Sequence, residues 1–237
     1  MGVMLGTSFN GLLTVAHKFS TAYTSLYTVF NLSWTESASL HINDIDANKF
    51  FRNVIHSVYR IFSAIAIGVI AVMPFVFGIL VNQNYADAYY QIPIYMIASL
   101  CQAFQGMYSV IYVALKKTKE IAKSTTMCAV INIVVNLCLI KCIGLYAASL
   151  STLVSYFVLS IWRYADLKKY IDVTFDKKLL ISSIVVLMIV CLSYYSRIKL
   201  ACFGALLLAV SYAIVVNRRI IVLMIKSPSK IMRFVKK

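Results

Sequence analysis

Acidic residues are scarce in this sequence, which holds eight Asp and Glu against 23 Lys and Arg in 237 residues. All eight carboxylates fall between or at the ends of long apolar runs, so none is placed to act inside a membrane. General acid–base catalysis needs a titratable side chain close to the reacting group. The sequence therefore provides no intramembrane pair of acids, and we predict that the protein is not an enzyme.

Metal-binding and redox patterns are missing as well. The three histidines, His17, His41 and His56, are scattered without the spacing of metal ligands. The six cysteines form no Cys-x-x-Cys pair, although Cys138 and Cys142 lie about one helical turn apart. No glycine-rich loop suited to phosphate is present. The sequence predicts neither a metal site nor a cofactor, and the cysteines are expected to be small apolar filler.

Charged residues make up only 13% of the chain and hydrophobic residues 61%, a composition typical of an integral membrane protein. Backbone groups in lipid must be satisfied within each segment, and the apolar runs are too long for barrel strands. We therefore predict an all-α, polytopic transmembrane bundle (residues 1–217) followed by a basic tail (218–237). The predicted spans, about seven, cover residues 11–34, 59–81, 89–115, 124–141, 144–163, 179–196 and 200–217.

The formal net charge of +15 would suggest nucleic-acid binding in a soluble protein, but here the basic residues are placed asymmetrically. If the spans alternate, 19 of the 23 Lys and Arg fall on one side. The positive-inside rule places that side, and with it the carboxyl terminus, in the cytoplasm, and we expect no nucleic-acid partner. Met1 is then outside. Because the first residues resemble no signal peptide, we expect a preceding part of the protein with an odd number of spans.

Lys18 is the one charged residue within the first apolar run. A cation at the bilayer centre costs about 2.5 to 3.5 kcal/mol on insertion scales, so its presence needs a reason. Its long side chain could reach the nearby interface, about two turns away. Alternatively, Lys18 belongs to a polar stripe at helical spacing that faces protein or water; the stripe consists of Thr14, Lys18, Thr21 and Ser25.

Two further spans carry uncharged polar faces. These consist of Ser99, Gln102, Gln105, Gly106 and Ser109 in the third span and of Thr125, Cys128, Asn132 and Asn136 in the fourth. Hydrogen bonds between helices would satisfy these groups at about 0.6 to 2 kcal/mol each. The other interpretation is a hydrophilic cavity lined by the first, third and fourth spans. Cations and amides without acids suit an anionic passenger, such as a sugar attached to phosphate.

At these residues the sequence resembles the bacterial polysaccharide (O-antigen or capsule repeat-unit) flippases of the multidrug/oligosaccharidyl-lipid/polysaccharide exporter superfamily. The matching stretches are Gly11 to Lys18, FNLSWTESASLHINDIDANKFF, YVALKKTKEIAKSTTMCAVINIVVNL and IGLYAASLSTLVSYFVLSIWRYADLKKY. Members typically have about fourteen spans in two lobes, and the resemblance aligns this chain with the second lobe of such a MATE-like exporter. The amino-terminal lobe would then be missing, or replaced by a second copy of the chain.

The resemblance implies flipping of an undecaprenyl-diphosphate-linked oligosaccharide across the inner membrane of a bacterium, for lipopolysaccharide or other surface polysaccharide. Its partners would be that substrate and membrane lipids. By position, Lys18 would face the central cavity, with Gln102, Gln105, Asn132 and Asn136 as further cavity candidates. Arg163 would meet the diphosphate. The alternatives are a cation-coupled drug exporter of the same fold and an inactive truncated product. A membrane-embedded glycan polymerase or acyltransferase is disfavoured because the outer loops are short.

Overall fold

The computed structural model describes residues 7–172 and 174–226, with backbone only for residues 7–10, 219 and 223–226. Within these ranges the chain forms helices and no strands. The helices are α1 (Thr7–His41), α2 (Ala47–Leu80), a 3₁₀ segment (Gln83–Gln91), α3 (Ile92–Ala114), α4 (Thr118–Ile143), α5 (Tyr146–Leu167), α6 (Lys177–Ser196) and α7 (Lys199–Lys226).

Among the described residues, five helices are long and apolar enough to cross a membrane. Four of them are α2, α4, α6 and the Lys199–Arg218 part of α7, and the fifth is α3 together with the 3₁₀ segment that precedes it. Helices α1 and α5 have the length, but their Ser, Thr, Tyr and charged residues lower the mean hydropathy of every window along them. The structure is thus helical and compatible with a membrane, with five such helices where the sequence predicts seven spans.

Several helix ends follow from local chemistry. Pro93 falls in the first turn of α3, where its missing N–H removes no helical hydrogen bond. The third span predicted from residue 89 therefore starts as an α-helix only at Ile92, after a 3₁₀ segment. Gly144, with a φ of 53°, ends α4 and turns the chain directly into α5. The predicted boundary at residue 217 lies within α7, which continues to Lys226; residues 227–237 of the predicted tail lie outside the described part.

Helix α3 lies at the centre of the bundle. Its side chains Met96, Ala103, Met107 and Ile111 are fully buried. Helix α1 and helix α5 both pack along α3, and α4 packs on α5. Helix α2 contacts α3 on one side and α6 and α7 on another, so α2 connects the two groups of helices.

The outward surfaces of α4, α6 and α7 are apolar. Ile133 on α4, Ile181 on α6 and Val215 on α7 are all more than half exposed. A large exposed apolar surface is unfavourable in water, whereas lipid accommodates it. These three helices therefore carry outward faces that are suited to contact with lipid.

The two ends of the bundle differ in charge. We call the basic end the one at which the chain passes from α1 to α2, from α3 to α4 and from α5 to α6, and Lys117 lies over the ring of Tyr170 there at 3.6 Å. Its basic side chains include Lys49, Arg52, Arg60, Lys116, Lys117, Lys119, Lys123, Lys168, Lys169, Lys177 and Lys178. At the opposite end, Tyr89 and Tyr194 stack at 4.2 Å, and the hydroxyl of each donates to the backbone carbonyl of the other. These reciprocal bonds join the 3₁₀ segment to the end of α6.

Candidate functional site

Arg163, near the basic end of α5, is the largest side chain that is almost completely buried, with 2% of its surface exposed. It extends from α5 towards α3 and α4, the two helices that supply its partners. Its Nε donates to Ser124 Oγ at 3.0 Å, and its Nη2 donates to Thr125 Oγ1 at 2.8 Å. Its Nη1 donates to the Gln105 side chain and to Ser109 Oγ, and also to the Gln105 carbonyl at 3.1 Å.

All of these partners are neutral. Within the described residues no carboxylate pairs with Arg163, and the two ion pairs join Asp44 to His41 and Asp166 to Lys169. Asp166 lies one turn further along α5 and accepts from Tyr112 Oη at 2.8 Å. The pKa of the Asp166 carboxyl is lowered, mainly by the hydrogen bond from Lys169 and to a smaller extent by the one from Tyr112. The guanidinium of Arg163, a group that stays protonated in proteins, is therefore surrounded by hydroxyl and amide groups and by no carboxylate of the described residues.

We call Arg163 and its four side-chain partners, Gln105, Ser109, Ser124 and Thr125, the arginine cluster. Two of its members, Gln105 and Arg163, were predicted from the sequence to lie at a substrate cavity. Gln105 and Arg163 are brought together by a direct hydrogen bond, with Arg163 buried and Gln105 half-buried. Arg163 is therefore not exposed to a diphosphate in this conformation. The sequence indicated a polar face on α3 and another on α4. It did not indicate that Arg163 of α5 donates hydrogen bonds to both faces.

One amide of α4, that of Asn136, contacts α5. Asn136 Nδ2 donates to Ser151 Oγ at 3.2 Å, and Asn132, one turn before it, is half-buried. This is the hydrogen bonding between helices that the sequence offered as the alternative to a cavity. Gln102 on α3 is half-buried as well.

Lys18 lies apart from these groups, on the exposed side of α1 towards the opposite end of the bundle. It borders a groove of about 370 Å³ whose other walls include Phe19, Asn82 and Tyr85. The structure therefore does not bring Lys18 together with Gln105, Asn136 or Arg163. The cavity predicted from the first, third and fourth spans stays a prediction.

The predicted polar stripe on α1 faces outward along its whole length. Thr14, Lys18, Thr21 and Ser25 are all exposed, and the pattern continues to Thr28. The hydroxyls of Thr21, Ser25 and Thr28 each donate to a carbonyl one turn earlier in α1, at 2.9 Å. The other side of α1 is apolar and aromatic, with Ala16, Tyr23, Tyr27, Trp34 and Ala38 buried against the bundle.

Comparison with protein-family models, curated proteins and solved structures finds no match to this chain. The resemblance drawn from the sequence therefore stays a prediction.

Proposed function

We propose that this chain forms the carboxyl-terminal lobe of a flippase that moves an undecaprenyl-diphosphate-linked oligosaccharide across a bacterial inner membrane. On this proposal all seven helices span the membrane, α1 and α5 being shielded from lipid on their polar sides. The basic end lies in the cytoplasm. Transport proceeds by alternating access between two lobes, and no covalent bond is made or broken.

The observation that carries the proposal is the exposed polar stripe of α1, which runs beside the exposed side chains of Leu26 and Val29. A helix in lipid normally turns its polar side chains towards protein or water. In α1 the aromatic side packs on the bundle, and the side with Lys18 and the hydroxyls faces away from it. A second lobe, or a water-filled cavity between two lobes, would give this face the polar surroundings that lipid does not.

The chemistry of this face suits the proposed substrate. Lys18 supplies a positive charge for a diphosphate, and the hydroxyls of Thr21 and Ser25 have oxygens able to accept hydrogen bonds from sugar hydroxyls. The Lys18 ammonium lies near the end opposite the basic end. Arg163 has a different role in this proposal, because its contacts fix α3, α4 and α5 relative to one another behind the cavity wall.

The test is Lys18→Ala in the full-length protein, expressed in cells that lack the native copy. We expect surface polysaccharide to fall at least tenfold, because a single ion–phosphate contact contributes about 1.5 to 3 kcal/mol. The amount of protein in the membrane should not change, since Lys18 is exposed and lies outside the packed core.

The matched control is Lys141→Ala, which removes another exposed lysine near the same end of the bundle, from α4. This variant should export normally. Normal export by stably inserted Lys18→Ala would refute the role of Lys18, and an equal loss in both variants would show that only general surface charge matters.

A further inference from the structure

Three basic residues from three different helices line one cleft at the basic end. Arg60 belongs to α2, Lys178 to α6 and Arg218 to α7, and the cleft between them has a volume of about 470 Å³. Helices α2 and α7 are joined here by a hydrogen bond, which Asn217 Nδ2 of α7 donates to the Arg60 carbonyl at 3.4 Å.

The three cations lie at the same depth relative to the apolar parts of their helices. Arg60 directly precedes the uncharged run of α2 that starts at Ile61, and Lys178 directly precedes the run of α6 that starts at Leu179. Arg218 ends the candidate membrane span of α7. This is the boundary between hydrocarbon and headgroups, where the phosphates of a bilayer are found.

The charge of the cleft is unbalanced. Its one carboxylate, Asp176, caps α6 by accepting from the Lys178 backbone N–H at 3.0 Å. Three positive charges thus face one negative charge. A larger cleft between α4 and α5, of about 680 Å³, has Lys123 and Lys169 opposed by Glu120 and Asp166, so it has no such excess.

The walls of the Arg60 cleft are apolar on the side of the membrane. They are formed by Leu179, Val215 and Val216, and Val215 is 71% exposed. A soluble anion gains nothing from such a wall, whereas the first carbons of an acyl chain do. Clusters of basic residues at the ends of transmembrane helices are a recurrent way of holding anionic lipid headgroups.

We propose that the cleft between Arg60, Lys178 and Arg218 binds the phosphate headgroup of an anionic phospholipid, with an acyl chain along α6 and α7. The lipid would connect α2 to the α6–α7 pair at the membrane surface. This site is independent of the transport substrate and of the face that bears Lys18.

The test measures binding of phosphatidylglycerol and phosphatidylcholine to the purified protein in detergent, by native mass spectrometry and by the shift in Tm. Wild type should retain phosphatidylglycerol preferentially. Arg60→Gln/Lys178→Gln/Arg218→Gln should weaken this binding on the order of 100-fold, because each basic residue near the surface contributes roughly fivefold. The single variants, about fivefold weaker each, answer the question if the triple variant fails to fold.

The control variant is Arg52→Gln/Lys119→Gln/Lys123→Gln, which removes three positive charges from the same end but outside the cleft. It should bind phosphatidylglycerol like wild type. Equal losses in both triple variants would overturn the proposal in favour of diffuse attraction. Equal binding of both lipids by wild type would also overturn it, as would competition by glycerol phosphate at the same concentration, since that would identify a site for soluble phosphate.

Discussion

Arg163 illustrates how a buried charge is accommodated without an ion pair. Transfer of an unpaired cation into an apolar interior is strongly unfavourable, and a carboxylate is the usual compensation. Here Gln105, Ser109, Ser124 and Thr125 offer their oxygens from two neighbouring helices. The planar guanidinium with five N–H donors is the side chain that can bind so many acceptors at once.

Arg163→Ala should lower the free energy of unfolding in detergent by about 2 to 4 kcal/mol. Each hydrogen bond to a charged group contributes about 1.5 to 3 kcal/mol, but the hydroxyls left behind can bond partly to their own helix backbone. Arg163→Lys should fall between this variant and wild type, because an ammonium cannot reach all the acceptors. Thermal and denaturant unfolding measure the effect.

The control for this prediction is Lys119→Ala, which removes an exposed cation from the same end of the bundle. Surface changes of this kind usually alter stability by less than about 0.5 kcal/mol. If Arg163→Ala were no less stable than Lys119→Ala, the arginine cluster would not hold the three helices together.

Helix α1 packs closely against α3 at Gly106, a residue of α3. A Cβ atom at Gly106 would lie 2.6 Å from the Tyr27 hydroxyl oxygen and 3.0 Å from a ring carbon. Tyr27 is buried and donates to Asn31 Oδ1 at 2.9 Å, so its ring has little freedom to move. Trp34, two turns further along α1, adds a bond to the Met107 carbonyl at 3.3 Å.

Gly106→Ala should therefore push α1 away from α3 and lower the free energy of unfolding by about 1 to 3 kcal/mol, as overpacked cores do. Gly68→Ala is the matched control, since it lies within α2 and no atom would lie within 4 Å of its new Cβ. Alanine favours helix over glycine by up to about 1 kcal/mol, so Gly68→Ala should be neutral or stabilising. Equal stabilities of the two variants would mean that α1 and α3 are not in close contact at this point.

At the scale of the whole molecule, the polar stripe of α1, from Thr14 to Thr28, is exposed on the surface of the bundle. On the proposed function, the chain works together with a second lobe, supplied by the same polypeptide or by a second copy. Native and denaturing mass spectrometry of the protein purified from its own membrane should show either a polypeptide with additional spans or two copies of this chain. A monomer consisting of residues 1–237 alone, active in polysaccharide export, would contradict the two-lobe proposal.

The sequence alone determined that the protein is helical and suited to a membrane. Long uncharged runs can satisfy their backbone hydrogen bonds in lipid only as helices, and the turn at Gly144 follows from the conformational freedom of glycine. The sequence also indicated which end of the bundle is basic, because most Lys and Arg residues lie in every second connection between the apolar runs. It predicted seven spans, and five of the described helices are long and apolar enough to cross a membrane. Helices α1 and α5 fall below that hydropathy because they contain many hydroxyl groups and several charged ones.

Only the tertiary structure decided what each polar face meets. Helical periodicity places Gln105 and Ser109 on one side of α3, and Lys18 and Thr21 on one side of α1, but the same pattern serves a cavity or a contact. Packing on α4 and α5 turned the first face into the acceptors of Arg163 and left the second face open. The physical reason is that a face is a property of one helix, whereas its partner depends on residues far away in sequence that pack against it.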